Sequence, residues 1–268
     1  MYRGFNINFS TEALNIDGVY NYGVSVLSKS KKTIEESLEK YILTDKSING
    51  SKMQEDWFPT IKSHIFLSHS HKDERKAIIL AGLLNVLLGL DVFIDSLVWG
   101  YSDHLLKLID NEYCLNPDKN SYNYNLRNRS TSHVHMMLAT ALNKMIDKTE
   151  CLFFMNTPNS VTTDEVINKT NSQWIYHEIT TSQIIRRNIP RRLIRERTRT
   201  FSKSIQHYES INALNINYDI DLQHLTDISE LELFLWVNFH SIIGKNPEKA
   251  LDKLYELHPT KSDNILND

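Results

Sequence analysis

Residues 63–95 read SHIFLSHSHKDERKAIILAGLLNVLLGLDVFID, the most regular alternation of apolar runs and turn residues in the chain. Its apolar runs at 65–67 and 92–94 predict two short, buried strands. Apolar residues at helical spacing lie between them and predict a helix. Ser70 and Asp73 match a capping-box pattern at its start, and Gly89 suits its C-terminal cap. A third apolar run, CLFFMN at 151–156, predicts a further strand, so the order of elements is typical of an α/β protein.

A helical crossover between two strands implies that the strands are parallel and that their following turns share one edge of the sheet. Ligands of such sheets bind at that edge. The sequence places polar and aromatic residues there from three connections: Ser68 and His69 after the first strand, Asp95, Trp99 and Asp103 after the second, and Trp174 and Glu178 after the third. Backbone amides in the first of these turns open a helix, where a phosphate group is well received.

Residues 172–178, SQWIYHE, begin the helix that follows the third strand. Ser172 is a suitable N-cap, and a spacing of four places Trp174 and Glu178 on one face of that helix. These seven residues alone leave two interpretations open. Trp174 packs in the core while Glu178 hydrogen-bonds at its edge, or the aromatic ring and the carboxylate belong to a binding site.

Three motifs in order, FLSHSHKDE, GLDVFIDSLVWG and SQWIYHE, resemble the Toll/interleukin-1 receptor (TIR) domain family, in particular its bacterial and axonal members that cleave NAD+. The resemblance covers roughly residues 60–240. It implies a flavodoxin-like α/β fold with a central parallel sheet flanked by helices, carrying helical additions at both ends. We expect residues 1–58 to be an extension that packs on the core, 59–245 to be the TIR domain, and 246–268 to be a C-terminal helix and tail.

The resemblance also implies an activity, because Trp174 and Glu178 match the W-x-x-x-E pattern that carries the family's catalytic glutamate. We expect Glu178 to be catalytic in cleaving the nicotinamide–ribose bond of NAD+, which is the substrate, with no separate cofactor. The residues expected to bind this substrate are Ser68, His69, Asp95, Trp99, Asp103 and Trp174. Stand-alone proteins similar to this one act in Thoeris anti-phage defence, where an ADP-ribose-derived signal activates a partner effector and TIR surfaces self-associate.

Two other functions stay open at this stage. One is a non-catalytic TIR module that only assembles with other TIR domains, which predicts no loss of NAD+. The other is a hydrolase similar to nucleoside deoxyribosyltransferases, which predicts turnover of free nucleosides. Asp95 has two readings as well, since an aspartate at a strand end either bonds a ribose hydroxyl or caps the following turn.

Composition narrows the class of protein. The chain has 268 residues, 41% of them hydrophobic, and a formal charge of -3, which suits one large domain with a sizeable core. Two cysteines, Cys114 and Cys151, are too few for a disulfide framework, and no apolar run is long enough to span a membrane. Without an apolar run after Met1, we expect no secretory signal and a cytoplasmic location.

Two kinds of residue cluster suggest other functions, namely nucleic-acid binding and metal binding. Seven arginines between Arg186 and Arg199 raise nucleic-acid binding, but Glu196 interrupts the run and no nucleic-acid motif accompanies it, so we expect no such partner. Alternating arginines at 195, 197 and 199 are typical of an exposed strand face, and an oligomer contact or a diphosphate contact remain alternatives. The pairs His69/His71 and His133/His135 lack a completing set of ligands, so we expect no metal.

The rest of the chain predicts elements around this core. Residues 116–132, NPDKNSYNYNLRNRSTS, are rich in asparagine and predict a long loop. NINYDI at 215–220 predicts the last strand, followed by helices near 226–241 and 247–257. Asn246 and Pro247 mark the start of the second of these helices.

Overall fold

A computed structural model describes residues 1–10, 17–30, 38–99, 102–164, 167–193, 216–241 and 244–260. The chain divides into two compact units. The first contains residues 1–24, 63–93 and 146–268, and the second contains residues 25–62 and 94–145. The first unit thus combines three separate segments of the chain, and the second combines two.

A five-stranded parallel sheet forms the centre of the first unit. Its strands are β1 (Arg3–Ile7), β2 (Ile65–Ser68), β3 (Val92–Phe93), β4 (Cys151–Met155) and β8 (Thr226–Ile228), in the order β3-β2-β4-β1-β8. Every pair of neighbours is parallel. All five residues of β4 are buried, as the continuous apolar run CLFFM predicts for a strand covered on both faces. The flavodoxin-like α/β fold expected from the sequence is therefore confirmed.

The N-terminal strand is the main departure from the expected organisation. We expected residues 1–58 to be an extension that packs on the core, and the structure places β1 of this segment between β4 and β8 as an internal strand. Residues 25–62 belong instead to the second unit. Local pattern gives no warning of this arrangement, because parallel pairing joins Phe5 to Phe153 across almost 150 positions of sequence.

Helices cover the faces of this sheet. Those within the first unit are α3 (Glu74–Leu88), α7 (Gln173–Ile184), α8 (Glu230–Ser241) and α9 (Pro247–Leu257). The helix α1 (Asp17–Ser30) begins in this unit and approaches α3 closely, since a Cβ added at Gly82 would lie 2.8 Å from the carbonyl oxygen of Val19. As predicted, Gly89 ends α3 with a left-handed backbone, at φ +73.

The helices α8 and α9 complete one face of the sheet. Trp236 of α8 lies edge-on to Phe153, and Tyr255 of α9 stacks on Phe5 at 6.2 Å. Asn246 caps α9 by accepting a hydrogen bond from the backbone nitrogen of Lys249 at 3.0 Å, which confirms the predicted start.

A small antiparallel sheet extends the connection between β4 and α7. Its strands are β5 (Thr162–Asp164), β6 (Ile167–Thr170) and β7 (Tyr218–Asp219), in the order β5-β6-β7. The predicted strand at 215–220 is therefore present only in part and in a different sheet. One edge strand of the parallel sheet is β8, which lies inside the region where a helix was predicted to start.

The second unit contains α2 (Gly50–Trp57), α4 (Asp95–Val98), α5 (Ser102–Tyr113) and most of α6 (Tyr124–Lys148). The loop predicted at 116–132 ends early, because α6 already begins at Tyr124. Buried Asp110 explains the difference: it accepts hydrogen bonds from Arg127 at 2.8 Å and from Ser130 at 2.5 Å. This anchor fixes the first turns of a helix whose composition alone is typical of a loop.

The arginine-rich segment lies partly outside the described residues, and with it the strand face predicted at 195, 197 and 199. Within the described part, Arg192 forms two hydrogen bonds to the carboxylate of Glu150, at 2.9 and 2.5 Å, and one to Asp252 at 2.8 Å. Arg192 thus joins the start of β4 to α9. Across the described residues, every helix is too short or too polar to serve as a membrane span.

Candidate active site

The carboxyl ends of β2 and β4 meet where the direction of the chain reverses in the sheet. From β2 the chain passes to β3 on one side, and from β3 it returns to β4 on the other side. Ser68, the last residue of β2, lies opposite Phe154 of β4 in the strand register. In open α/β sheets this reversal opens a crevice at the carboxyl ends of the strands, where ligands bind. The sequence placed Ser68 at this edge, and the structure confirms that position.

Glu178 reaches this edge from α7. Ser172 caps the helix by accepting a hydrogen bond from the backbone nitrogen of Ile175 at 3.3 Å, as predicted. Two turns into the helix, the Glu178 carboxylate accepts a hydrogen bond from the Ser68 hydroxyl at 2.6 Å. Glu178 is only 4% exposed and Ser68 only 1%. Carboxylates are rarely buried to this degree, so a specific arrangement holds this one at the switch point of the sheet.

The helix α7 also carries two aromatic side chains, which lie on different sides of it. Trp174 is half-buried and lies one turn before Glu178 on the same face of α7. Tyr176 points to another side, where its ring stacks on Tyr218 of β7 with centroids 4.4 Å apart. The small sheet therefore supports α7 from one side and leaves part of the Trp174 surface accessible. The sequence did not indicate this support, because the partners are over 40 positions apart.

Asp73 ties together the turns that follow β2 and β4. Its carboxylate accepts hydrogen bonds from Thr157 at 2.5 Å and Asn159 at 3.0 Å, and Lys76 lies 3.3 Å away. Burial by itself would raise the pKa of Asp73, but these hydrogen bonds and the Lys76 charge outweigh it and lower the pKa. The predicted capping box is absent, because Asp73 turns to the loop after β4 and the Ser70 side chain makes no capping hydrogen bond.

A second polar pair at the same edge follows from the unpredicted strand β1. Asn6 lies opposite Phe154 on one side and Asp227 on the other, so a row of four side chains runs from Ser68 to Asp227 on one face of the sheet. The Asn6 amide donates a hydrogen bond to Asp227 at 2.7 Å. The side-chain amide oxygen of Asn6, Oδ1, is buried without a hydrogen-bond partner among the described residues. Local sequence pattern does not indicate this pair, because it does not indicate the strand that carries Asn6.

His69, which follows Ser68, is buried at 8% exposure, and its ring lies 6.4 Å from that of His71. His69 is adjacent in sequence to Ser68, which bonds to Glu178. No group of three or more His, Cys, Asp or Glu side chains within the described ranges is arranged to hold a metal ion.

Three predicted site residues, Asp95, Trp99 and Asp103, follow β3 in the chain and belong to the second unit. Asp95 is the first residue of α4, and Asp103 is exposed on α5. Trp99 is only 2% exposed, and its indole nitrogen donates to the carbonyl oxygen of Pro59 at 2.9 Å. Its ring packs against Phe58. These are the surroundings of a core side chain, so the expected stacking of Trp99 on a substrate ring is not supported.

Comparison of the chain with models of protein families, with curated proteins and with solved structures found no match. The interpretation of the site therefore depends on its own geometry. A buried carboxylate held by a serine hydroxyl, at the switch point of a parallel sheet and one helical turn from a partly exposed indole, can stabilise positive charge that develops on a bound molecule. The site also offers aromatic surface for a planar ring.

Proposed function

We propose that this protein cleaves the nicotinamide–ribose bond of NAD+, with Glu178 as the catalytic residue. One observation carries the proposal: the Glu178 carboxylate is buried at the switch point of the sheet and accepts a 2.6 Å hydrogen bond from Ser68. The motifs around these two residues are those that resemble NAD+-cleaving TIR domains. Geometry and motif thus favour the same pair of side chains.

The chemistry requires one carboxylate. Breaking the bond between C1′ of the ribose and the nicotinamide nitrogen leaves an oxocarbenium-like sugar, and the bonding electron pair returns to nicotinamide. Nicotinamide leaves as a neutral molecule, so no general acid has to protonate it. The negative charge of Glu178 stabilises the sugar cation. Water, or another nucleophile, then forms the new bond to C1′ and loses a proton.

The neighbouring residues have supporting roles in this proposal. Ser68 fixes the orientation of the carboxylate through its hydroxyl, which makes it a positioning residue. Trp174, one helical turn away, offers a ring surface on which nicotinamide or adenine stacks. Asp73 holds the turns after β2 and β4 together and so shapes the crevice without contacting the substrate.

Glu178→Gln tests the proposal. The amide preserves size and much of the hydrogen bonding but removes the charge, so nicotinamide release should fall about a hundredfold or more. The melting temperature and NAD+ binding should change little. Glu112→Gln, on the exposed surface of α5, is the matched control and should retain parent activity. Nicotinamide release is measured by mass spectrometry over a range of protein concentrations, because self-association is expected to control turnover.

Parent-level release by a folded Glu178→Gln protein would refute the catalytic role. The two alternatives give different results in the same assay. A purely assembling module releases no nicotinamide at any protein concentration. A nucleoside hydrolase turns over free nucleosides and leaves NAD+ intact, so a nucleoside mixture is assayed in parallel.

A further inference from the structure

A cavity lies in the first unit, at the amino-terminal ends of β1 and β8. Its volume is about 190 Å³. Four parts of the fold form its walls: the start of β1, the end of α7 with the residues just after it, the segment around the start of β8, and Thr260 after α9. The charged and hydrogen-bonding side chains of the lining include those of Arg3, Ser182, Arg187, His224 and Thr226. The Ser68–Glu178 pair lies at the opposite, carboxyl ends of the strands, so this cavity is separate from the proposed active site.

Arg3 gives the cavity a fixed positive charge. The side chain is buried, with 4% exposure, although it lies on a central strand. Its guanidinium donates to the carbonyl oxygens of Tyr255 at 3.3 Å and His258 at 2.5 Å, and to the hydroxyl of Thr226 at 3.0 Å. These contacts hold the charged group in one orientation at the wall. A pre-oriented guanidinium loses little conformational entropy when it binds a ligand.

Arg187 adds a second positive charge at the opening. This residue is exposed, and its guanidinium lies over the ring of Tyr2 at 4.8 Å from the centroid. None of the described residues that line the cavity is acidic. Two guanidinium groups therefore bound a small space whose described walls carry no negative charge. Such a space attracts an anion.

Neutral hydrogen-bonding groups complete the wall. The Ser182 hydroxyl lies 2.7 Å from Nε2 of His224, and Ser182 itself is 6% exposed. Desolvation lowers the pKa of His224 to about 4, against the opposing effects of the Asp221 charge and of a hydrogen bond to its backbone. His224 is therefore neutral at pH 7, and protonation of this ring becomes easier when an anion is bound.

We propose that this cavity binds a phosphate group through Arg3 and Arg187, with hydroxyl and imidazole groups of Ser182, His224 and Thr226 nearby. Guanidinium groups match the paired oxygens of phosphate, and charge-assisted hydrogen bonds of this kind are the strong ones. The volume holds a phosphate group with a small attached moiety, and is below the usual range for a whole dinucleotide. The inference does not depend on the proposed cleavage of NAD+.

Binding of inorganic phosphate to the full chain tests the inference. Isothermal titration calorimetry and the melting temperature are measured with phosphate and with potassium chloride at equal ionic strength. Phosphate should raise the melting temperature because it binds only the folded state. Arg187→Ala should weaken binding about tenfold or more through the lost charge-assisted hydrogen bonds. Arg186→Ala is the matched control, since this exposed arginine is adjacent in sequence but does not line the cavity.

Two results would overturn the inference. The first is equal stabilisation by phosphate and by chloride, which indicates ionic strength alone. The second is equal weakening of phosphate binding by Arg187→Ala and Arg186→Ala, which indicates diffuse attraction to the arginine-rich surface.

Discussion

The hydroxyl of Ser68 and the carboxylate of Glu178 are 2.6 Å apart, although 110 positions separate the two residues in the chain. The hydrogen bond joins the last residue of a central strand to the second turn of α7. Both partners are buried, so the hydrogen bond lies out of contact with bulk water. Both the sheet and the helix therefore fix the position of the carboxylate.

Ser68→Ala should therefore affect both stability and activity. Removing the hydroxyl leaves a buried carboxylate without this donor, which should lower the free energy of unfolding by about 1–3 kcal/mol. Loss of orientation should also slow nicotinamide release by about tenfold or more if Glu178 acts as proposed. Urea unfolding and the nicotinamide assay measure the two effects. Ser51→Ala, on an exposed face of α2, should change neither. An unchanged free energy of unfolding for Ser68→Ala would contradict the structural role of the bond.

The two tryptophans predicted to bind the substrate should behave in opposite ways. Trp174 is half-buried near Glu178, so Trp174→Ala should weaken NAD+ binding by about 1–3 kcal/mol if the ring stacks on a base. Trp99 is buried and bonded to Pro59, so Trp99→Ala should lower the free energy of unfolding by about 3–5 kcal/mol. Titration calorimetry and urea unfolding of both variants separate these effects. A stable Trp99→Ala protein with weakened NAD+ binding would show that Trp99 contacts the substrate.

The core of the fold was predictable from sequence because its elements are local. Strand β2, helix α3 with its Gly89 cap, strand β4 and the Ser172 cap of α7 each follow from short-range patterns. The Ser68–Glu178 edge followed from the right-handed crossover rule applied to those elements. Asn246 and Pro247 fixed the start of α9 in the same way.

The remaining features depend on distant partners, and local patterns carry no information about them. Strand β1 is short, contains Arg3 and Asn6, and has its place in the sheet only through pairing with β4 and β8. Asp73 matched a capping pattern, but a tertiary partner, Thr157, competes for its carboxylate. In each case a tertiary contact outweighed the local preference.

Asp73 should make stability depend on pH in acid. The pKa of its carboxyl is lower in the folded state than in the unfolded state, so the folded state favours the ionised form. This contribution is fully present above the unfolded pKa of about 4 and is lost as pH falls through the folded pKa. Asp73→Asn should thus lower the free energy of unfolding by about 1–3 kcal/mol at pH 7, and the difference from the parent should shrink below pH 4.

Urea unfolding of the Asp73→Asn and parent proteins at pH 7, 5 and 3.5 gives the measurement. Asp219→Asn, which changes an exposed carboxylate, is the control and should run parallel to the parent. A difference between Asp73→Asn and the parent that stays constant at all three pH values would show that the charge of Asp73 does not contribute.

The contact between α1 and α3 should fail when a single methyl group is added. A Cβ at Gly23 would strike the backbone carbonyl oxygen of Ile78, and a Cβ at Gly82 would lie 2.8 Å from the carbonyl oxygen of Val19. Backbone atoms cannot rotate away as a side chain can, so the helices must separate. Gly23→Ala should therefore lower the free energy of unfolding by about 1–3 kcal/mol, even though alanine favours a helix more than glycine does. Gly18→Ala lies on the same helix with nothing within 4 Å of the new Cβ, and should be neutral or stabilising by up to about 1 kcal/mol. Urea unfolding of both variants gives the comparison. If both changes stabilise the protein equally, the close approach of the two helices does not exist in solution.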